Sequence, residues 1–203
     1  MTEEAQKSSL PNLIWIDLEM SGLDPESCAI LEVACIVTDG DLNELGEGVD
    51  LVVSQPDPVL ARMDDWCTRH HGQSGLTDAV KASSITVRAA ELRTLDYLRR
   101  FTNKGQAPLA GSSVSHDRRF IDKYMPELSA WLHYRTIDVS TVKELVKRWY
   151  GGLELPSKKN THRALDDIRE SIEELRYYRQ HAFRPAGTPP TGEVPPNASD
   201  ASG

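Results

Sequence analysis

The sequence predicts an α/β protein built on one mixed β-sheet, an antiparallel meander plus parallel strands, flanked by α-helices. Two features carry that expectation. Short segments rich in β-branched and aromatic residues come first, and past residue 57 the apolar period lengthens to that of a helix before a further buried strand and more helices follow.

Residues 13–18 (LIWIDL), 30–37 (ILEVACIV) and 49–53 (VDLVV) read as the first strands, separated by turn formers that include Gly22, Pro25, Gly40, Asn43 and Gly46. Three strands in succession predict the meander. Ala61, Trp66 and His70 then mark one helix, and Val87, Ala90, Leu95, Leu98 and Phe101 a second. Residues 108–114 (PLAGSSV) read as a buried strand, 118–124 as a short helix closed by Pro126, and 135–138 as a short strand. A helix over 139–150 ends at Gly151 and Gly152, and the last helix runs over 163–181. Residues 10–183 thus form one domain, while 1–9 and the Pro- and Gly-rich 184–203 lack the apolar side chains to offset ordering and read as a flexible N-terminus and a disordered tail.

The formal net charge of −8 disfavours a protein that grips long DNA or RNA, because counterion release needs a basic face along several phosphates. A nucleic-acid partner should be short or held through metal ions. No apolar run approaches the roughly 20 residues of a membrane helix, and MTEEAQKSS lacks the layout of a secretory signal, so a cytoplasmic location is expected. Cys28, Cys35 and Cys67 form no CxxC pair and read as reduced core residues.

Several acids occupy unexpected places. Asp17 and Glu19 project from one face of an otherwise apolar strand, where two like charges are costly unless a hard cation lies between them. An exposed strand end with two solvated acids is the alternative. Asp117 sits where a strand gives way to a helix, the place where ligands collect in open α/β sheets, although Ser115 or Asp117 could equally cap that helix. In THRALDDIRESIEEL, Ala164, Leu165, Ile168, Ile172 and Leu175 form the core-facing sector of a helix. Asp166 falls nearly opposite, and Asp167 lies on the flank beside Ala164 and Ser171, where it can reach a site bordered by the sheet. His162 precedes this helix, with Thr161 as N-cap, and could serve chemistry or pair with Asp166 at i, i+4.

Together Asp17, Glu19, Asp117 and Asp167 make sense as a site for two Mg²⁺ or Mn²⁺ ions that clamp the attacking water and departing oxygen of a phosphodiester, with a neutral His162 taking the proton. No rival set exists: GxGxxG, GxxxxGK[ST], GxSxG and HExxH are all missing from the sequence.

The D-x-E of IDLEMSGLD, the SVSHDRRF run and HRALDDIRES, with the intervening MDDWC, SGL and LHYRTIDVST stretches, resemble the oligoribonucleases, members of the DEDD exonuclease superfamily with a histidine in the final motif. The resemblance runs from Asn12 to about Phe183. It implies a ribonuclease H-like fold, two divalent cations, a homodimer, and 3′-to-5′ hydrolysis of very short RNA to mononucleotides, dinucleotides and linear pGpG included. By position, Asp17, Glu19, Asp117 and Asp167 match the metal-binding acids and His162 the general base. Leu23 and Trp66 match the residues that wedge and stack the bases. Ser113, Arg135 and Ser140, with Thr141 as a further candidate, match a cap over the 5′ phosphate, and His133 or Tyr134 would reach into the neighbouring subunit's site. Where the family has Gly-Asn-Ser, this chain has Gly111, Ser112 and Ser113, which leaves Asp117 untouched and removes any contact that requires Asn.

Read from the residues alone, Trp66 could be a base platform or half-buried core, Arg135 a phosphate ligand or an ion-pair partner, and Trp131 and Tyr134 a dimer seam or core. Glu32, between Leu31 and Val33, has no assigned role. Competing functions on the same residues are a DNA-directed or RNA-maturation 3′ exonuclease, which should carry a basic stripe, and a non-catalytic nucleic-acid-binding adaptor, which should have lost part of the acid set.

Overall fold

A computed structural model describes residues 10–156 and 163–183. His162, Thr161 and the two chain ends lie outside the described residues. The chain opens with β1 (Leu13–Met20), β2 (Ile30–Thr38) and β3 (Val49–Val52), continues through α1 (Asp57–Leu60), α2 (Asp65–Gln73), α3 (Leu76–Ala82) and α4 (Val87–Leu98), and returns to the sheet in β4 (Leu109–Gly111). Then come α5 (Ser115–Tyr124), α6 (Pro126–Trp131), β5 (Thr136–Asp138), α7 (Val139–Trp149) and α8 (Ala164–His181). The strands lie in the order β3-β2-β1-β4-β5. The β1–β2 and β2–β3 pairs are antiparallel and β1–β4 and β4–β5 parallel, which is the mixed sheet the pattern predicts.

Alternation along β1 divides the core. Ile14, Ile16 and Leu18 join Val33, Cys35 and Val37 beneath α4, α5 and α6. Trp15 joins Ala34, Ile36 and Ala110 beneath α7 and α8, whose Val146, Ile168, Ile172 and Tyr178 cover them. Asp17 and Glu19 continue the Trp15 row, and Glu32, directly opposite Glu19, continues the Ile36–Ala34 row. One sheet face therefore turns from apolar to acidic at the end where β1, β4 and β5 all terminate.

Several boundaries depart from the periodicity. The single helix expected around Ala61 to His70 is divided between α1, whose C-cap is Ala61, and α2, which the Asp64 carboxylate starts afresh by accepting the Cys67 N–H at 2.7 Å; beyond it, Gly75 at φ +76 breaks the chain again before α3. Pro126 does end α5, yet it also opens α6, because a missing N–H and fixed φ suit the first helical position. The strand expected over 108–114 stops at Gly111, since Ser113 adopts φ +55, and α5 begins at Ser115, earlier than expected. Among the cysteines, Cys35 and Cys67 are buried but Cys28 is only half-buried, and all three are free thiols. Among the described residues no helix is long and apolar enough to cross a membrane.

Candidate active site

The acidic end of the sheet gathers carboxylates from remote parts of the chain. One oxygen each of Asp17, Glu19 and Asp167 lie within 4.8 Å of one another. Asp17 and Glu19 arrive on alternate residues of β1, and Asp167 arrives from the first turn of α8, which packs across β1 and β2. Asp166 is exposed, as the helix-face argument requires. Asp117 stands behind this trio: it is buried in the first turn of α5, and its Oδ1 accepts the Leu18 N–H at 2.9 Å. It does not cap its own helix.

Burial pushes the Glu19 carboxyl up to about 8, with Asp167, Glu32 and Asp117 adding repulsion that Arg163 only partly relieves. Burial likewise raises Asp117 to about 7 against the opposing hydrogen bond from Leu18. Without cations these groups resist ionisation together. Hard-oxygen donors at this spacing, held by rigid strand and helix, suit a divalent cation.

Beside the acids lies a cavity of about 400 Å³ lined by Leu18, Glu19, Met20, Gly22, Leu23, Asp64, Trp66, Cys67 and His71. Leu23 is 62% exposed and Trp66 53%, unusual values for large apolar side chains, and the Trp66 ring stacks on His70 at 3.9 Å. Trp66 is therefore not core.

The exonuclease family RNase T matches residues 14–175. The oligoribonuclease of Mannheimia succiniciproducens is 58% identical over 177 residues, covering 85% of this chain and 94% of that protein. The mitochondrial oligoribonuclease of Homo sapiens is 53% identical over 182 residues, covering 89% of this chain and 77% of that one. This chain belongs to the oligoribonuclease family. Its backbone is also similar to the zinc-bound complex of E. coli ExoI with single-stranded DNA, at TM-score 0.67 and 17% identity, over 85% of this chain but only 41% of that one, a likeness of fold alone.

As an oligoribonuclease-family member the chain uses divalent metal, and its remaining candidate residues fall into two groups. Ser113 and Ser140 come together, their hydroxyl oxygens 3.1 Å apart. Arg135 stands at the opposite end of β5, its guanidinium 5.1 Å from the Tyr134 ring, and the His133 and Tyr134 rings lie 4.4 Å apart. Tyr134 is 75% exposed, whereas Trp131 packs against the core and donates its indole N–H to Thr102. Ser112 shares a hydrogen bond of 2.8 Å with Ser171 one helical turn beyond Asp167, which ties the second motif to α8.

Three supporting residues escaped sequence reasoning. Glu32 is fully buried, and its carboxylate accepts Arg163 Nε and Nη2 at 2.9 and 2.6 Å and the Ala164 N–H at 3.2 Å. The only hint was an acid within an apolar strand. Buried His71 donates Nε2–H to the Met20 carbonyl at 2.9 Å, since a carbonyl can only accept, and turns Nδ1 toward Glu19 Oε2 3.9 Å away. Asp138 Oδ1 accepts the backbone N–H groups of both Ser113 and Ser140. Nothing in their local sequence marks His71 or Asp138.

Proposed function

We propose that the chain is a 3′-to-5′ exoribonuclease that hydrolyses RNA of a few nucleotides, dinucleotides and linear pGpG included, with two Mg²⁺ or Mn²⁺ ions held by Asp17, Glu19, Asp117 and Asp167. The observation that carries this reading is the trio of carboxylate oxygens within 4.8 Å of one another, whose Glu19 also lines a cavity shared with Leu23 and Trp66. The ions would polarise the scissile phosphate and lower the pKa of water. The chain's own residues do the rest. Leu23 and Trp66 flank the bases, a stacking contact worth about 1–3 kcal/mol per base. Ser113 and Ser140 offer hydroxyls to a 5′ phosphate. His162 takes the proton from the attacking water, so His162→Ala should depress turnover far more than binding.

A net charge of −8 favours a short substrate, because a few phosphates require no basic track. In this reading two chains form a homodimer in the cytoplasm, and His133 or Tyr134 of one chain reaches into the other's site. The exonuclease domain spans residues 10–183, so deletion of 184–203 should leave hydrolysis near normal, and a large loss would refute that boundary.

The deciding experiment incubates the protein with 5′-labelled RNAs of two, five and twenty nucleotides, with and without Mg²⁺ or Mn²⁺, and sizes the products. Fastest hydrolysis of the dinucleotide, dependent on metal, is expected. Preference for the longest RNA would favour the other exonuclease reading. Sedimentation at micromolar protein checks the dimer.

A further inference from the structure

We propose that Asp138 is the positioning residue of the 5′-phosphate cap: it locks Ser113 in a left-handed conformation and thereby presents the Ser113 and Ser140 hydroxyls side by side to a terminal phosphate monoester. The inference rests on the cap reading above and adds to it the residue that builds the cap.

Ser113 is a non-glycine residue at φ +55, between the end of β4 and the start of α5. Such a conformation is disfavoured for an L side chain and persists only where surrounding contacts over-determine it. Here one contact comes from far along the chain. The parallel β4–β5 ladder pairs Gly111 with Asp138, which brings the Asp138 side chain under the turn. Its Oδ1 accepts the Ser113 N–H at 3.0 Å and the Ser140 N–H at 2.8 Å, so one oxygen holds two segments together and caps α7. The result is two hydroxyls 3.1 Å apart, with Ser113 itself exposed.

That arrangement has a chemical preference. Each hydroxyl can donate one hydrogen bond, and a phosphate monoester is an acceptor with several oxygens. The start of α7 adds the favourable end of a helix dipole. Asp138 would repel a phosphate if its charge were bare, but that oxygen is already committed to two N–H donors. Its contribution is therefore placement, and a neutral side chain with the same oxygen should serve nearly as well.

The test compares kcat/KM for an RNA dinucleotide bearing a 5′ phosphate with that for the same dinucleotide bearing a 5′ hydroxyl, the full-length protein being used with Mn²⁺. Asp138→Ala should lower this ratio by about tenfold or more, the effect of losing charge-assisted hydrogen bonds. Asp138→Ser should do the same, because serine still caps α7 yet is too short to hold both N–H groups; it replaces the alanine variant if that one does not fold. Asp138→Asn should keep the ratio within about threefold, since its amide oxygen accepts as the carboxylate does. In a Ser113→Ala background, Asp138→Ala should change the ratio by less than about threefold, as expected for a residue that acts through Ser113. Retention of the wild-type ratio in Asp138→Ala and Asp138→Ser would overturn the proposal. A wild-type ratio near one would instead overturn the cap reading, and the proposal with it.

Discussion

Glu32 faces Glu19 across the β1–β2 ladder, and its carboxylate is closed on the guanidinium of Arg163 and the N–H of Ala164. An acid paired in register with one of the metal trio thus holds the base of α8. It fastens the start of the helix that carries Asp167, one turn further on, through Arg163, the residue that follows His162 in sequence.

Glu32→Gln should therefore lower both stability and activity. The neutral amide leaves Arg163 without its full charge partner and weakens the anchor of Ala164. A loss of about 1–3 kcal/mol in urea unfolding is expected from a buried charge-assisted contact. Activity should fall further at limiting Mn²⁺ than at saturating Mn²⁺, because Asp167 would be held less firmly. An unchanged metal titration would show that the anchor does not reach the site.

Metal should stabilise the fold. Three acids bring ligand oxygens within 4.8 Å of one another, so a cation that binds only the folded chain adds about 2.7 kcal/mol at a concentration of one hundred times its Kd. For a domain of this size that is a melting-point rise of roughly 5–10 °C, measurable by calorimetry. Asp167→Ala should remove most of the rise and abolish hydrolysis; persistence of either would reject the assignment of Asp167.

The same crowding fixes the pH dependence of the metal-free protein. Glu19 is pushed from 4.5 up to about 8 and Asp117 from 3.8 up to about 7, chiefly by burial. Below the unfolded values both states hold the proton and these groups cost nothing. Between about 4 and 8 the unfolded chain has released protons that the folded chain keeps, so stability must fall as pH rises, and above about 8 the full cost applies. Metal competes with those protons, so its affinity should climb over the same interval. Urea unfolding with chelator at pH 5, 6, 7 and 8 would read the trend, and Glu19→Gln should flatten it. A rise in stability with pH that Glu19→Gln leaves unaltered would contradict this account.

Trp66→Ala should raise KM for a dinucleotide by about tenfold or more while kcat changes little, the signature of lost base stacking distant from the reacting bond. A loss confined to kcat would instead place the ring in service of the metal acids.

The sheet was largely legible because its strands are short, apolar and bounded by turn residues, and because Asp17 and Glu19 break the apolar face of β1 at alternate positions. Asp167 could be separated from Asp166 by helical phase alone, and the exposed and flanking places they occupy follow that phase. The helices between β3 and α4 were harder, since Asp64 and Gly75 restart the chain over spans too short for a period to emerge. The second tier of the site was illegible for a different reason. Glu32 to Arg163, Asp138 to Ser113 and His71 to Met20 are contacts between distant segments, and no local pattern encodes which remote partner an ordinary side chain will meet.

The distance along the chain between Asp17 and Asp167 has a consequence for the protein's birth. Every strand is synthesised before α8, yet the third carboxylate of the trio arrives only with that helix. A chain that ends before α8 lacks both Asp167 and the side chains that cover Trp15, Ala34 and Ile36, so one helix closes a face of the sheet and completes the means to cut.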